Sequence, residues 1–391
     1  MRIERSNWEQ RTLGEFFDLQ MGKTPSRKDL SLWEDGDTPW VSISDMKESR
    51  YISDTKEHLP YQTIAECRIP IIPVGTVIMS FKLTIGKTCI VSKPLTTNEA
   101  IMAFYPKKGI EVNSSFLAYA LSALKWKGNR AVKGVTINKK TISEKNFSLP
   151  PIGLQDNIAA ELDAIQEVID GYKDQIADLD ALAQSIFLNT FGDPISNPKG
   201  WEMKPIKELT IKMSTGPFGS MLHKEDYSAD GIPSINPQDI KGNQISNANI
   251  ARVNIVKAKE LRKYVLDVND VVIARRGDLC KCAVIREEQK GWLCGTGSFF
   301  LTLLDYNPTL FFYCYTSRSI QKYLNDKCIG ATMPNLNQGI LSSLKLPVPP
   351  IELQQRFANK IASIEQQKDL LRQQLADAEM LMAERMQYYF S

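Results

Sequence analysis

The stretch Leu149-Pro150-Pro151-Ile152-Gly153-Leu154-Gln155 decides the fold, because it returns 199 residues later as Val348-Pro349-Pro350-Ile351-Glu352-Leu353-Gln354. Trp8-Glu9 returns in the same way as Trp201-Glu202, 193 residues later. The two offsets differ by six residues, which indicates two versions of one domain with small changes in the loops. A unit this long is not a solenoid repeat, since those span roughly 20–50 residues. Because only short stretches between the anchors match, the repeat predicts two similar devices directed at two different targets.

The composition is ordinary for a globular protein. The 391 residues suffice for two packed domains, and 43% are hydrophobic and 24% charged. No apolar run approaches the roughly 20 residues of a membrane span, and the N-terminus lacks the apolar core of a signal peptide. Seven scattered cysteines without a C-x-x-C pair are typical of reduced thiols. We therefore expect a cytoplasmic protein with no membrane partner.

The net charge alternates along the chain. Residues 1–150 carry +6 and residues 201–347 carry +5, whereas residues 151–200 carry −7 and residues 348–391 carry −1. Two basic regions favour a polyanionic partner such as nucleic acid. Charge alone leaves an ordinary surface as an equal alternative.

Each copy begins with a body of short strands followed by a helix. Runs rich in β-branched and aromatic residues, separated by Gly and Pro, predict strands at 40–43, 76–80, 88–91 and 100–105 in copy one and at 271–274, 283–285 and 299–304 in copy two. Helical stretches follow at 115–121 and 310–317. Strands in a row followed by helices indicate an α+β domain.

A heptad pattern follows each Pro-Pro pair. Apolar residues recur at alternating spacings of four and three, which is typical of a coiled-coil seam. The predicted seam residues are Ile158, Leu162, Ile165, Ile169, Tyr172, Ile176 and Leu179 in the first helix and Phe357, Ile361, Ile364, Lys368, Leu371 and Leu375 in the second. The alternative is two separate amphipathic helices, each packed on its own domain. A stripe of about 33 residues, roughly 50 Å of helix, is longer than one small domain needs.

These boundaries divide the chain into five segments. The two bodies are predicted at 1–149 and 201–347, the two long helices at 150–191 and 348–391, and a polar linker at 192–200. The predicted fold class is α+β, with two repeated α/β domains joined by two long helices.

Motifs of nucleic-acid enzymes are missing from the sequence. It contains no G-x-x-x-x-G-K-[ST] phosphate loop, no G-x-G-x-x-G and no Asn/Asp-Pro-Pro-Tyr/Phe loop of amino-methyltransferases. No cluster of acids with a spaced Lys suggests a nuclease. The two histidines, His58 and His223, are too few and too far apart for a His-based metal site. We therefore expect no catalytic residues, no metal and no cofactor bound by this chain.

Candidate binding residues lie in Gly-punctuated loops at matching places in the two copies. Arg forks onto guanine, Asn and Gln onto adenine, and Lys holds phosphate. The candidates are Lys82, Thr84, Lys87, Lys133, Thr136, Asn138, Lys139 and Lys140 in copy one and Arg275, Arg276, Lys281, Thr332, Asn335, Asn337 and Gln338 in copy two. A plain surface turn explains any single one of them more simply, but the pairing of equivalent loops favours the set.

In the order of these features the chain resembles the specificity subunits of type I restriction-modification systems. The resemblance rests on the twofold repeat, the two Pro-Pro boundaries, the paired heptads, the segment 330–337 (GATMPNLN) and the junction from Phe191-Gly192-Asp193-Pro194 to Trp201. It covers essentially the whole chain. Copy one departs at residues 134–138 (GVTIN), so contacts do not transfer one to one between the copies.

The resemblance implies a fold, a function and partners. Each body would be a target-recognition domain that reads half of an asymmetric, bipartite site in double-stranded DNA. The two long helices would form an antiparallel coiled coil that fixes the gap between the half-sites. Modification subunits, two of them, would bind this frame and supply S-adenosylmethionine and the adenine-methylating site. Restriction translocase-nuclease subunits would join to cut unmodified DNA.

Two other classes of function stay open at this point. One is a stand-alone, two-headed DNA-binding regulator or architectural protein, although such proteins usually reach two half-sites by dimerising. The other is a divergent DNA nuclease or methyltransferase, which metal-dependent cleavage or cofactor binding by the chain alone would reveal.

Lys368 is the one charge within either heptad seam. A lone Lys at such a position usually sets register or orientation at some cost in stability. Antiparallel helices aligned at their midpoints would place it near Asp174 and Asp178, which are its predicted partners. The alternative is a Lys that snorkels to solvent.

Overall fold

In a computed structural model the chain forms two compact units. The structure describes residues 5, 7–46, 49–126, 129–131, 134–328 and 335–391. Unit 1 comprises Met1–Lys173 and Gln373–Ser391, and unit 2 comprises Asp174–Arg372. Each unit therefore holds one body and a part of both long helices.

The body of unit 1 is built from short strands and short helices. Its strands are β1 (Glu9–Thr12), β2 (Phe17–Met21), β3 (Thr38–Val41), β4 (Tyr51–Ile52), β5 (His58–Leu59), β6 (Val77–Ser80), β7 (Lys82–Leu83), β8 (Thr88–Val91), β9 (Thr96–Thr97), β10 (Ile101–Pro106), β11 (Asn129–Ala131), β12 (Gly134–Thr136) and β13 (Asn146–Leu149). Its helices are α1 (Leu13–Phe16), α2 (Tyr61–Cys67), α3 (Ser114–Ala123) and α4 (Lys139–Ser143).

The main sheet of unit 1 has the strand order β2-β10-β6-β8-β4. All neighbours in it are antiparallel except β4 and β8, which are parallel. A second sheet, β5-β3-β9, includes the parallel pair β3 and β9. The ribbon β1-β13 pairs Glu9 with Leu149, so the two ends of the body meet. Within the main sheet, Phe17 of β2 packs edge to face on Phe104 of β10, with 5.9 Å between ring centroids.

The body of unit 2 has a similar set of elements. Its strands are β14 (Glu202–Pro205), β15 (Thr210–Thr215), β16 (Tyr227–Ile235), β17 (Ile240–Lys241), β18 (Gln244–Ile245), β19 (Arg252–Val253), β20 (Val271–Ala274), β21 (Cys282–Val284), β22 (Leu293–Cys294), β23 (Ser298–Leu303) and β24 (Lys345–Val348). Its helices are α6 (Ile255–Glu260), α7 (Pro308–Tyr315), α8 (Arg318–Lys327) and α9 (Gln338–Ser343).

The two bodies share one topology. The ribbon β14-β24 repeats β1-β13, and the order β15-β23-β20-β21 repeats β2-β10-β6-β8. The sheet β19-β16-β22 repeats β5-β3-β9 and again includes a parallel pair, β16 with β22. The duplicated α+β fold predicted from the repeat is confirmed.

The long helices are α5 (Ile152–Phe191) and α10 (Ile351–Phe390), each of 40 residues. Each begins directly after a Pro-Pro pair, because proline cannot continue a strand ladder and is tolerated at the start of a helix. In the described part of the chain, no helix is long and apolar enough to cross a membrane.

Candidate nucleic-acid interface

Two of the predicted loops meet in unit 1. Strand β7, in the loop 81–87, pairs with β12, in the segment 133–140, with Leu83 opposite Val135 and Lys82 opposite Thr136. The backbone N–H of Ile137 also donates to the carbonyl of Phe81 at 3.2 Å. Backbone pairing therefore joins loops that are about fifty residues apart in sequence into one surface.

The same juxtaposition occurs in unit 2. Arg276 forms an isolated antiparallel bridge with Asn335. The N–H of Leu336 donates to the carbonyl of Arg275 at 2.9 Å, as Ile137 does to Phe81. Ile137 and Leu336 are both buried and so anchor the second loop of each pair. The two units thus present equivalent paired loops with different side chains.

A further backbone contact closes the first loop of each pair. The N–H of Ser80 donates to the carbonyl of Lys87 at 2.9 Å, and the N–H of Ala274 donates to the carbonyl of Lys281 at 2.8 Å. The two loops have the same length between these contacts, so their positions correspond one to one.

The lysines of the unit 1 loops differ in their freedom. Lys87 donates from Nζ to the carbonyl of Met46 at 3.3 Å, and the Nζ of Lys82 lies 5.5 Å from the ring centroid of Phe81. Lys139 and Lys140 are exposed in the first turn of α4, where Lys140 lies 3.7 Å from Glu144. Thr84 is exposed at the tip of the loop 81–87.

Two of the predicted asparagines cap helices. The Oδ1 of Asn138 accepts from the N–H of Thr141 at 2.8 Å, and the Oδ1 of Asn337 accepts from the N–H of Ile340 at 2.8 Å. A bidentate contact with adenine needs both amide atoms of the side chain. The cap holds the orientation of each amide and engages its oxygen, while the Nδ2 of each asparagine takes no part in the cap.

The arginines of unit 2 occupy different environments. Arg275 is half-buried, its guanidinium carbon lies 5.8 Å from the ring centroid of Phe299, and its buried Nε has no partner among the described residues. Arg276 and Asn335 are exposed, and Gln338 is exposed at the start of α9. Because the Arg275 guanidinium lies near a buried ring and Arg276 is exposed, Arg275 has less rotational freedom and is the better candidate for a directional contact.

The side chains of three predicted residues are not among the described parts of the chain. Lys133 and Thr332 lie outside the described residues, and for Thr136 only the backbone in β12 is described. All DNA contacts of the predicted set stay predictions.

Thiol chemistry is not expected in this region. Burial raises the pKa of the Cys280 thiol to about 12 and the pKa of the Cys89 thiol to about 11. Both thiols are therefore protonated at neutral pH, whereas nucleophilic cysteines have depressed pKa values. Among the described residues, no group of three or more His, Cys, Asp or Glu could hold a metal ion.

Within unit 1 the two long helices run antiparallel. Glu161 of α5 lies 2.9 Å from the Nε of Arg385, and Lys173, twelve residues further along α5, lies 4.0 Å from Glu379, earlier in α10. The predicted seam residues there are buried or half-buried: Ile158, Leu162 and Ile169 are buried, and Ile165, Tyr172 and Leu375 are half-buried. Ile158 and Leu162 also join the core of the body, so both predicted packing modes occur in the same helix.

Within unit 2 the helices are antiparallel as well. Phe357 of α10 packs on Phe191 near the end of α5, with 5.1 Å between ring centroids, and Lys368 lies beside Asp180, earlier in α5. The seam residues Phe357, Ile361, Ile364 and Lys368 are buried, and Ile176, Leu179 and Leu371 are half-buried.

The predicted partners of Lys368 were wrong. Its Nζ lies 2.6 Å from Oδ1 of Asp180 and 2.6 Å from Oε1 of Glu365, rather than at Asp174 or Asp178. The side chain is 6% exposed, so it does not snorkel to solvent.

Sequence reasoning also missed what the repeated glutamines do. Gln155 donates to the carbonyl of Pro150 at 2.8 Å and accepts from the N–H of Asn113 at 2.9 Å, just before α3. Gln354 repeats both bonds, with Pro349 at 2.8 Å and Asn307 at 2.8 Å. Each glutamine fastens the start of a long helix to its body. The signal was present, since Gln is the last residue of the repeated motif.

A second missed contact joins the body of unit 1 to α5. Arg50 forms an ion pair with Asp163 and donates to the hydroxyl of Tyr119 at 2.7 Å. Tyr119 in turn donates to Asp163 at 3.1 Å. Burial lowers the pKa of Arg50, but its guanidinium remains charged at neutral pH, so the contact with Asp163 is an ion pair.

Comparison with known proteins identifies the family to which the chain belongs. The chain matches the type I restriction modification DNA specificity domain twice, at residues 5–180 and 198–380. The duplicated body with paired loops therefore belongs to the class of two-domain DNA-recognition proteins. The chain is a member of the type I restriction modification DNA specificity family.

Individual relatives are similar in sequence along most of the chain. The type I restriction enzyme MjaIX specificity subunit of Methanocaldococcus jannaschii is 24% identical over 377 residues, which cover 90% of this chain and 85% of that protein. The EcoprrI specificity subunit of Escherichia coli is 22% identical over 376 residues, covering 88% and 84%.

Solved structures share the fold. The S subunit of a type I restriction-modification system from M. genitalium aligns with a TM-score of 0.55 at 16% identity, covering 100% of this chain and 98% of that chain. A chain from a structural study of type I R-M complex assembly aligns with a TM-score of 0.53 at 17% identity, covering 98% of both. Membership in this family confirms a non-catalytic DNA-recognition subunit, and it does not favour a stand-alone regulator or a divergent enzyme.

Proposed function

We propose that this chain reads an asymmetric, two-part DNA site, with the body of each unit reading one half-site. The observation that carries the proposal is the pairing of two loops by equivalent backbone bonds in both units, Ile137 to Phe81 and Leu336 to Arg275, with Lys or Arg side chains in the first loop of each pair. A conserved frame with divergent side chains supports two readers of different sequences. Phosphate contacts by Lys would position each body, and contacts with base edges would specify the sequence.

We further propose that modification subunits, two per chain, dock on the long helices. A shallow apolar groove in unit 1 supports this, with a volume of about 380 Å³. It is lined by Ala164, Ile165 and Val168 of α5, by Ala378 and Leu381 of α10, and by the ion pair of Glu161 and Arg385. Val168 and Leu381 remain 48% and 42% exposed, which leaves apolar surface for a partner.

S-adenosylmethionine and the adenine-methylating site would belong to the modification subunits. A target adenine would be flipped out of the duplex into the partner's pocket. Restriction translocase-nuclease subunits would complete the assembly for cleavage. The chain alone is therefore expected neither to methylate nor to cleave DNA.

The proposed reading of half-sites is tested by exchanging one body. Residues 1–148 are replaced by the equivalent body of a relative, and the methylated sites in a host with the modification subunit are sequenced. One half-site should change while the other and the modification activity persist. A change in both half-sites would refute the assignment of one half-site to each body.

Docking is tested on two neighbouring residues of α10. Leu381→Lys places a charge in the groove, whereas Met380→Lys alters a residue that is 62% exposed and does not line it. Co-purification of the modification subunit should be lost only with Leu381→Lys. Equal retention by both variants would exclude this groove as the docking surface.

A further inference from the structure

Leu83 combines an unusual backbone with an unusual exposure. Its φ is +63°, in the left-handed region that β-carbon-bearing residues rarely adopt, and its side chain is 56% exposed. The other non-glycine residues at positive φ in the described parts are all polar or charged: Asp35, Arg68, Asn197, Asn249, Asn269 and Asp305. An exposed leucine therefore occupies a position that favours glycine or asparagine.

In unit 2 a glycine occupies the equivalent position. The corresponding residue is Gly277, with φ of +77°, in a loop of the same length between the closing contacts Ser80–Lys87 and Ala274–Lys281. Glycine adopts this turn without steric penalty. Leu83 adopts it with a penalty and without burying its side chain, so folding does not account for it. Backbone strain of this kind concentrates at functional sites.

The loop holds Leu83 in a fixed place. The buried hydroxyl of Ser80 donates to the carbonyl of Thr84 and accepts from the N–H of Lys87 at 3.1 Å. Leu83 itself is paired with Val135 across β7 and β12. A side chain presented from a closed and paired loop loses little freedom when it binds.

We infer that Leu83 contacts the apolar surface of a base in the half-site read by unit 1, an inference that rests on the proposed function. Lys82 precedes it and the exposed Lys87 closes the same loop, so two cationic side chains belong to the loop that carries the leucine. Lysines neutralise phosphates, while a leucine between them meets a thymine methyl group or the face of a base at an opened step.

The test compares Leu83→Gly and Leu83→Asn with Leu30→Ala, in complexes reconstituted with the modification subunit. Leu30 is a matched control, because it is an apolar residue of unit 1 that is 69% exposed and lies outside the paired loops. Affinity is measured for the cognate duplex and for a scrambled duplex, and thermal unfolding is followed for each chain.

Both Leu83 variants should bind the cognate duplex about 5- to 15-fold more weakly, because only the exposed 56% of the leucine side chain is withdrawn from water by the contact. Binding to the scrambled duplex should change little, since its phosphates are the same. The melting temperature of Leu83→Gly should be unchanged or higher, because glycine relieves the turn. Loss of binding together with a gain in stability separates a contact with DNA from a defect in folding.

Two further measurements distinguish the sources of apolar contact. If a thymine methyl is contacted, replacing that thymine by uracil weakens wild-type binding and leaves Leu83→Gly unaffected. If a base step is opened, 2-aminopurine in the half-site brightens with wild type and not with Leu83→Gly.

Several results would overturn the inference. Unchanged cognate affinity in Leu83→Gly would do so, and so would loss of affinity with no response to uracil or 2-aminopurine. Loss of the modification subunit in place of DNA would assign Leu83 to a protein contact. A wild-type complex that does not distinguish cognate from scrambled duplex would instead refute the proposed function.

Discussion

Lys368 gives a quantitative test of the long-helix packing in unit 2. Its ammonium group is buried, and it lies 2.6 Å from carboxylates of both Asp180 and Glu365. The two acids differ in environment, since the side chain of Asp180 is 61% exposed and that of Glu365 is 16% exposed. Water can replace Asp180 but has little access to Glu365.

Glu365→Gln should therefore be the most damaging single change. Glu365 also lies 3.7 Å from Arg372 and 3.9 Å from Arg286, so its loss leaves three cations around a neutral amide. Removing one partner of a buried pair costs about 3–5 kcal/mol. For a unit of this size the melting temperature should fall by about 6–20 °C. Asp180→Asn should cost only about 0–1 kcal/mol, because its carboxylate is largely solvated.

The double variant Glu365→Gln/Lys368→Met separates the ion pair from the packing. Replacing a buried pair by neutral groups of similar volume is often neutral, or stabilises by about 1–4 kcal/mol. The free energy of unfolding of the double variant should therefore be no more than about 1 kcal/mol below that of wild type, and it can be higher. Lys360→Met, an exposed residue of the same helix, should stay within about 0.5 kcal/mol.

Urea and thermal unfolding followed by circular dichroism give these free energies. The reasoning fails if Glu365→Gln unfolds within about 1 kcal/mol of wild type, because the pair would then be solvated. It also fails if the stability lost in the double variant equals the sum of the losses in Glu365→Gln and Lys368→Met, since the two side chains would then act independently.

Three further predictions follow from individual contacts. Gln354→Ala should lower the free energy of unfolding by about 2–4 kcal/mol in denaturant melts, because the buried carbonyl of Pro349 and the half-buried N–H of Asn307 lose their partner, whereas the adjacent exposed Gln355→Ala should change it by under about 0.5 kcal/mol. Arg275→Ala should cost about 1–3 kcal/mol of cognate affinity and relax one base position, while Lys281→Ala should weaken all sequences alike and reduce the salt dependence; equal binding by both variants would show that other residues read the DNA. Alkylation of Cys280 by iodoacetamide should keep rising about tenfold per pH unit up to pH 10, because its pKa of about 12 leaves the thiol protonated below that pH; a plateau near pH 8 would contradict the burial.

Much of the frame was predictable from local signals. The run predicted at 271–274 is strand β20 (Val271–Ala274), and the run predicted at 88–91 is strand β8 (Thr88–Val91). Both are continuous apolar or β-branched runs bounded by turn residues, and both are almost fully buried. The strands β2 and β15 were not predicted, because their apolar residues alternate with polar ones instead of forming a continuous run; in Phe17-Asp18-Leu19-Gln20-Met21 that alternation is itself the signal of a half-buried strand.

The candidate interface was predictable in part. Sequence comparison located the four loops, because Gly-punctuated polar segments stand at matching places in both copies, with basic residues matching in the first loop of each pair. It did not predict that the loops pair within each unit, since a two-residue strand such as β7 leaves no periodic signal. Nor did it reveal that Asn138 and Asn337 serve as helix caps, although Asn before a short helix is a recognised start signal.

The error over Lys368 shows where a heptad pattern loses its predictive power. The pattern specifies which face of each helix is buried, but it leaves the helices free to slide along each other. In unit 2 the position along the axis is set by an aromatic cluster, in which Phe357 packs on Phe191 and on Tyr313 of α7, with ring centroids 5.1 and 5.3 Å apart. Tyr313 belongs to the body and not to either helix, so no comparison of the two heptads could have included it. Alignment by midpoints placed Lys368 opposite a part of α5 that lies too early in the helix, near Asp174 and Asp178. The carboxylate that meets Lys368 is Asp180, because the body fixes the register.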